Sequence, residues 1–555
     1  MWEGSVPRAE SEHGTRPAVS SLSRMDSLPL PTELLPGHGE ALEPTLSPLI
    51  LALRQVRRPL LCSRGGELVA AHAPAAGLAY VPALPLERLG DAEFLRDHRL
   101  DLAYVAGAMA NGIASVELVA SVSRAGMLGF FGAAGLRPEA VTAAIRELKS
   151  RLGDRPFGVN LIHSPSEPNL EAAVAEICCR EDVGVVEASA FLDLTLPIVR
   201  YRLAGIRELP DGTIEAPHRV VAKVSRVEVA TKFMSPAPAA LVRELARRGD
   251  LTPAQARLAE RVPLAQDVTA EADSAGHTDN RPALALLPTL LALRDRLQAK
   301  YQYARPLRVG AAGGIGTPAA AAAVFAMGAA YIVVGSVHQA CVESGTSPAV
   351  REMLAQAEQA DTMMAPAADM FEMGVKVQVL KRGTMFPMRA AKLYELYRNY
   401  PSLDALPATE RRLLEATFFR LSFDEVWDQC RAYFAQRDPG QLEAAQRDPK
   451  HRMALVFRWY LGQSSRWAIT GVPDRKLDYQ VWCGPAMGAF NEWTRGTFLA
   501  DPAERRVVVV ACNLLHGAAV RLRAYALRCQ RVPIPDERFL DQPLPLPQIR
   551  ELAGL

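Results

Sequence analysis

Thirty-four consecutive residues between Arg308 and Glu343 contain no Asp, Glu, Lys or Arg. A run of that length can cross a bilayer, or it can form the most buried part of a globular domain. Its internal breakers decide between the two. Gly313-Gly314, Thr317-Pro318 and Gly328 would all fall mid-span in a membrane helix, whereas a buried βαβ unit uses them as turns. The run therefore reads as a strand at 307–312, a helix at 317–327 and a strand at 331–335. Near-continuous apolar strands of this kind belong to a parallel sheet buried on both faces.

The same alternation extends upstream. Strands are expected at 102–106, 127–131, 157–162, 183–187, 220–224 and 267–271. Helices are expected at 116–125, at 170–180 and from Pro138 to Gly153, the last with proline at its start and glycine at its stop. Pro210-Asp211-Gly212 marks an inserted turn before the fifth strand. Eight strand–helix units in about 245 residues match an α/β, (β/α)8 TIM barrel in number and length. A doubly wound open sheet is the competing architecture.

The 555 residues exceed what such a barrel needs. Residues 1–45 are rich in Pro, Gly and Ser, lack the apolar core of a secretory signal, and read as a disordered tail or linker. Residues 46–99 form a linking segment, 100–360 the barrel, and 361–555 a mainly helical cap. Five of the six tryptophans lie between Trp427 and Trp493, so the cap either shapes a channel over the barrel mouth or holds an ordinary aromatic core. The Pro-rich stretch after Val532 reads as an extended surface strap. The near balance of 63 Lys and Arg against 61 Asp and Glu gives no global field to attract nucleic acid or a membrane. Eight cysteines without C-x-x-C spacing or a His/Cys cluster give neither a disulfide framework nor a metal centre, and fit a reducing cytoplasm.

Barrel enzymes place catalytic groups at the C-terminal strand ends and phosphate sites after strands seven and eight. The loop Ala311-Ala312-Gly313-Gly314-Ile315-Gly316 and the pair Gly335-Ser336 occupy those two positions. Their small residues allow a phosphate to approach the backbone. Strand one is followed by Ala108-Met109-Ala110-Asn111, suited to a flat ring or to a simple turn. Asn160 interrupts an apolar strand and must find partners, either in a ligand or in a network. Lys223, unusual in a buried strand, lies at the barrel mouth or pairs with Glu187 or Glu271. The loop 271–279 sets His277 among three acids, without the spacing of a zinc or calcium site. A histidine flanked by carboxylates suits proton transfer near neutral pH.

These motifs resemble the FMN-dependent enoyl reductase and nitronate monooxygenase (2-nitropropane dioxygenase-like) barrels. Within that group they are most similar to the trans-acting enoyl reductases of polyunsaturated-fatty-acid and polyketide synthases. The segments that carry the resemblance are MANGIASVELVASVSRAGMLGFFGAAGL (109–136), PFGVNLIHSP (156–165), AKVSRVEVA (222–230), EADSAGHTDNRP (271–282) and GAAGGIGTPAAAAAVFAMGAAYIVVGS (310–336). Further along, APAADMFEMGVKVQVLKRGTMFPMRA (365–390), RWYLGQSSRWA (458–468) and WCGPAMGAFNEW (482–493) tie the chain to the synthase-associated branch.

The resemblance implies FMN, with its phosphate on Gly313, Gly314, Gly335 and Ser336 and its ring beside Ala108, Met109, Ala110, Asn111 and Asn160. Glu187, Lys223 and Ala312 complete the implied cofactor set. His277 would face the flavin as hydrogen-bond and proton donor, with Lys223 a second polarising group. Two departures stand out: Ala275 replaces a glycine expected in its loop, and His338 follows the phosphate loop where the branch carries Asn. The implied reaction is reduction of an α,β-enoyl thioester on an acyl carrier protein by NADPH or NADH, with a homodimer compatible. A nitronate-oxidising flavoenzyme and a catalytically idle scaffold of a synthase are the rival readings. Six Lys or Arg against two Glu in 371–400, Lys381 and Arg382 among them, offer a docking face for an acidic carrier or a plain solvated surface.

Overall fold

The computed structural model describes residues 46–69, 77–165 and 167–555. The expected tail, 1–45, lies outside the described residues. Eight parallel strands close into a barrel: β1 Tyr104–Ala106, β2 Leu128–Phe131, β3 Gly158–Ile162, β4 Val185–Ser189, β5 Arg219–Val224, β6 Asp267–Glu271, β7 Arg308–Ala312 and β8 Ile332–Val334. Each strand pairs with the next in sequence and β8 pairs with β1, so the open-sheet alternative is excluded. Every strand falls within about two residues of its expected position. The expected turn at 210–212 is the tip of a small hairpin, Arg207–Glu208 with Ile214–Glu215.

Strand periodicity sorts the barrel interior into layers. At the bottom, Asp267 and Arg308 form a buried ion pair at 2.6 Å, joined by His98 Nε2 at 2.8 Å and by Asp97. Phe94 and His98 arrive on the helix Ala92–His98, so the linking segment plugs the lower end. Phe94 stacks on Tyr331 with ring centroids 4.2 Å apart. In the middle layer Phe130, Val185, Val221 and Tyr331 fill the bore. A Cβ at Gly158 or Gly310 would stand 2.2 or 2.3 Å from the Phe130 or Tyr331 ring, so these glycines make room for the aromatic fillers. Nearer the C-terminal ends of their strands come Asn160, Glu187, Lys223 and Glu271, a polar layer facing the C-terminal mouth.

The outer helices include α1 Val116–Arg124, α2 Pro138–Leu152, α3 Pro168–Arg180, α4 Leu196–Leu203, α5 Val227–Phe233, α6 Ala283–Tyr301 and α7 Pro318–Ala326. After β8 come a single helical turn, Ser336–Gln339, and a short helix, Pro348–Ala355. The covering role on that side passes to a helix 170 residues downstream, Val507–Cys529, which packs along α7 and also touches α1. This helix is long and apolar enough to cross a membrane, but 78% of its most apolar window is buried inside the protein. The interval 361–555 thus divides into a cap and a return to the barrel.

The cap comprises a hairpin (Thr362–Pro366 with Lys376–Leu380) and the helices α8 Phe386–Asn399, α9 Phe423–Arg437 and α10 Pro449–Thr470. Phe371, Phe386, Phe419, Phe423, Phe457 and Tyr460 form its own core. The return helix becomes α11 in this order. The last stretch corrects the expectation of an extended strap. Val532 and Leu540 are buried, and the chain ends in a helix, Leu546–Ala553, held by the Arg57 guanidinium at the Ala553 carbonyl.

Candidate active site

The barrel mouth and the cap enclose a cavity of about 1480 Å³. Ala108, Met109, Ala110, Asn111, Asn160, Lys223, His277, Ala312, Gly313, Gly314, Gly335 and Ser336 all line it. Sequence segments more than 200 residues apart thus meet around one space. Glu187 is the exception. It is fully buried beneath the cavity wall, where its Oε2 accepts the Ala108 N–H at 3.0 Å and its Oε1 has no hydrogen-bond partner among the described residues. It supports the Ala108 turn from below instead of lining the space.

The polar layer is one electrostatic unit. Lys223 Nζ lies 3.2 Å from Glu271 Oε1. Burial alone would lower the pKa of this ammonium, but the charges of Glu271 and Glu187 and the Glu271 hydrogen bond outweigh it, so the group is held above its usual range. Burial pushes Glu187 upward, against the opposing pull of Lys223 and the Ala108 N–H. Asn160 takes up the network alternative, and it does so on the cavity wall. It lines the cavity, and its Nδ2 donates to the Glu187 carbonyl at 3.2 Å and to Ser189 Oγ at 3.0 Å.

The His277 loop is built around Glu271. Thr278 Oγ1 donates to the Glu271 carbonyl at 2.8 Å, and Asn280 turns back to Asp273 at 2.7 Å. A Cβ on Gly276 would stand 2.6 Å from Glu271 Oε1, so a larger residue there would push the Glu271 carboxylate from its place. His277 Nε2 lies 3.2 Å from Asp369 Oδ1, a residue of the cap. Burial lowers the His277 pKa, but the Asp369 charge and hydrogen bond win and raise it overall. Asp369 is in turn held below the usual carboxylate range, with the His277 charge overcoming its own burial. The imidazolium form is therefore favoured on the cavity wall.

The two glycine loops are open toward the cavity. A Cβ at Gly314 or Gly335 would meet no protein atom within 4 Å. The backbone bonding leaves the N–H groups of Gly313, Gly314 and Ser336 without an acceptor among the described residues. The helix α7 follows directly, with Thr317 as its cap. Open-sided glycines beside unclaimed N–H groups have the chemistry to accept an anion such as a phosphate. His338 takes no part in it. It is fully buried, bonds Tyr104 Oη at 2.7 Å through Nε2, and has its pKa depressed to about 3 by burial. The one-turn helix after β8 points it into the core.

Several contributors escaped the sequence reading. Asp369, Gln378, Trp482 and Gly484 all come from the cap. Gln378 Nε2 donates to Asp273 Oδ1 at 2.7 Å, and the Gly484 N–H donates to Ser336 Oγ at 3.3 Å. A Cβ on Gly316 would stand 2.2 Å from the Ala486 carbonyl, so the cap rests directly on the phosphate loop. The tryptophans divide between both expected roles. Trp459 and Trp482 line the cavity, while Trp427 and Trp467 pack against the cap core. No group of His, Cys, Asp or Glu among the described residues could hold a metal ion.

Residues 100–400 match the nitronate monooxygenase family, and residues 400–479 match the inserted helical domain of acyl-carrier-protein S-malonyltransferase. One of the polyunsaturated fatty acid synthase polypeptides of Thraustochytrium sp. is 43% identical over 537 residues, which are 95% of this chain and 36% of that polypeptide. Polyketide biosynthesis protein PksE of Bacillus subtilis is 45% identical over 437 residues, 79% of this chain and 57% of its own length. The chain thus spans between about a third and a little over half of these curated relatives. The solved enoyl reductase domain of MlnA, from the macrolactin biosynthesis cluster of Bacillus amyloliquefaciens, is 38% identical with a TM-score of 0.75. That match covers 80% of this chain and 99% of the domain.

Proposed function

The chain belongs to the nitronate monooxygenase family, and we propose that within it the protein is an enoyl reductase of a polyketide or polyunsaturated-fatty-acid synthase. It acts in trans on enoyl thioesters held by an acyl carrier protein, with FMN as cofactor and NADPH or NADH as reductant. The observation that carries this reading is the cavity. Small-molecule sites commonly enclose about 300–1,000 Å³, and this one, at about 1480 Å³, has room for a flavin and an acyl chain together. Its floor offers a phosphate cradle, and its roof is the cap that the chain has in excess of a bare barrel. The likeness to the MlnA enoyl reductase domain and to the synthase proteins supports the same reading.

The residues fit FMN. Gly313, Gly314, Gly335 and Ser336 would hold its phosphate through the backbone, and Ala108–Asn111 would flank its ring. Bound there, FMN supplies hydride transfer from the nicotinamide to the β-carbon of the enoyl thioester. Lys223 keeps a positive charge at the floor, where negative charge collects on reduction. His277 donates a hydrogen bond toward the thioester oxygen as negative charge develops there, and then it or a water protonates the α-carbon. Asp369 shifts the imidazole toward its protonated form. The cap and the Ala486 segment exclude water from above.

Replacing His277 with Ala should slow enoyl reduction about 10²–10³-fold and leave FMN affinity nearly unchanged. Loss of flavin without a specific rate effect would remove His277 from the mechanism. A nitronate oxidised in air faster than a crotonyl thioester is reduced anaerobically would return the chain to the nitronate reading.

A further inference from the structure

Four arginines line the cavity: Arg137, Arg437, Arg458 and Arg466. Two of them are neutralised within the protein. Arg437 pairs with Glu167 at 3.0 Å, and Arg458 with Glu372 at 3.2 Å. Arg137 and Arg466 have no carboxylate, carbonyl or ring partner among the described residues, and both are exposed at the rim.

These two come from the barrel side and the cap side of the cavity, which a hydrogen bond ties together beside them. Arg137 belongs to the barrel, immediately before α2, and Arg466 to the cap helix α10. Asn111 Nδ2 donates across the gap to Ser465 Oγ at 3.3 Å, one residue from Arg466. On the other side Gly135 lies against the same asparagine. A Cβ there would stand 2.1 Å from Asn111 Oδ1, and Arg137 follows two residues later. Asn111 holds this position with a φ of 57°, in the left-handed region. The exposed carboxylate of Glu139 lines the barrel lip as well, and it pairs with neither arginine.

Two long, unpaired guanidinium groups, one from the barrel and one from the cap, on the wall of one cavity suit an anion with several oxygens. Guanidinium binds phosphate through paired, charge-assisted hydrogen bonds. The glycine-loop cradle at Gly313, Gly314, Gly335 and Ser336 is a separate place, built from backbone N–H groups just past the ends of β7 and β8. The geometry points to a second phosphate site at the cavity entrance, formed by Arg137 and Arg466, which grips a phosphate of the incoming reactant. It rests on the reductase reading above, which brings two phosphate-bearing reactants to this entrance. They are the nicotinamide dinucleotide and the phosphopantetheine arm of a carrier protein.

The test uses the full-length, FMN-loaded protein and the variants Arg137→Gln, Arg466→Gln and the double variant. KM is measured for NADPH, for a crotonyl thioester on a carrier protein, and for crotonyl-N-acetylcysteamine, which has no phosphate. NADPH and phosphopantetheine affinities are measured separately by calorimetry. Each single variant should weaken one phosphate-bearing reactant about 10- to 100-fold and leave crotonyl-N-acetylcysteamine unchanged. A change confined to NADPH assigns the site to the dinucleotide, and one confined to the carrier substrate assigns it to the arm. Glu139→Gln should tighten the same reactant modestly. Unchanged affinities for both phosphate-bearing reactants, or equal losses for all three, would overturn the site. If the unaltered protein reduces no thioester, the reductase reading fails, while the calorimetric comparison still decides whether Arg137 and Arg466 hold phosphate.

Discussion

Gly335→Ala separates the fold from the ligand. Gly335 has a φ of −124°, which does not require glycine, and a Cβ there meets no protein atom within 4 Å. The substitution should therefore leave folding nearly intact. The new methyl group projects into the open side of the loop, where a phosphate would approach Gly335 and Ser336. Displacing one charge-assisted hydrogen bond to phosphate costs about 1.5–3 kcal/mol, or about 10- to 100-fold in affinity. Gly313→Ala is the contrasting control. Its φ is +86°, and a Cβ would stand 2.7 Å from the Ala272 carbonyl carbon, so this change should lower the melting temperature even without ligand. The assay is quenching of FMN fluorescence on titration with the apoprotein, alongside thermal unfolding of both variants. An unchanged FMN affinity in Gly335→Ala would refute the phosphate cradle. A large fall in its apoprotein melting temperature would show that Gly335 serves the fold.

Asp369→Asn should move the fall of enoyl reduction at high pH to a lower pH. Asp369 raises the His277 pKa, so the protonated donor now persists further into the alkaline range, and the pH–rate profile reads the change. The same pair gives stability that is fully present below the unfolded histidine pKa and lost as pH rises through the raised folded value. Asp267→Asn should cost about 3 kcal/mol, measured by denaturant unfolding, because it leaves the buried Arg308 guanidinium short of a partner. The neighbours Arg308 and His98 overcome the burial of Asp267 and depress its carboxyl pKa, so its contribution is present above the unfolded value and fades only in strong acid. For the basic stretch, Arg382, Arg389 and Lys392 are engaged by Asp361, Asp478 and Glu410, which leaves Lys376, Lys381 and Arg398 exposed without an ion pair among the described residues. Lys381→Glu should raise KM for a carrier-bound enoyl thioester a fewfold and leave the free thioester unaffected. Equal effects on both would exclude carrier docking there.

The barrel was legible because its strands are short apolar runs with breakers between them, and because polar residues inside such runs are rare. Asn160, Glu187 and Lys223 stood out for that reason, and all three belong to one layer. The sequence left the contact of His338 open, because adjacency to the Gly335-Ser336 loop does not say which way a one-turn helix points. Asp369, Gln378 and Gly484 left no local signal, since each acquires its role only when the cap folds over the mouth about 100 to 200 residues from the loop it touches. The return helix α11 reads by composition like a membrane span or a cap helix. Only its packing on α7 identifies it as part of the barrel wall.

The most direct test follows NADPH oxidation without oxygen, using the FMN-loaded protein and a crotonyl thioester on a carrier protein, and weighs the acyl product by mass spectrometry. Enoyl reduction predicts one NADPH consumed for each thioester and a product heavier by two hydrogens. No saturated thioester under these conditions, with turnover appearing only when a nitronate and oxygen are supplied, would contradict it.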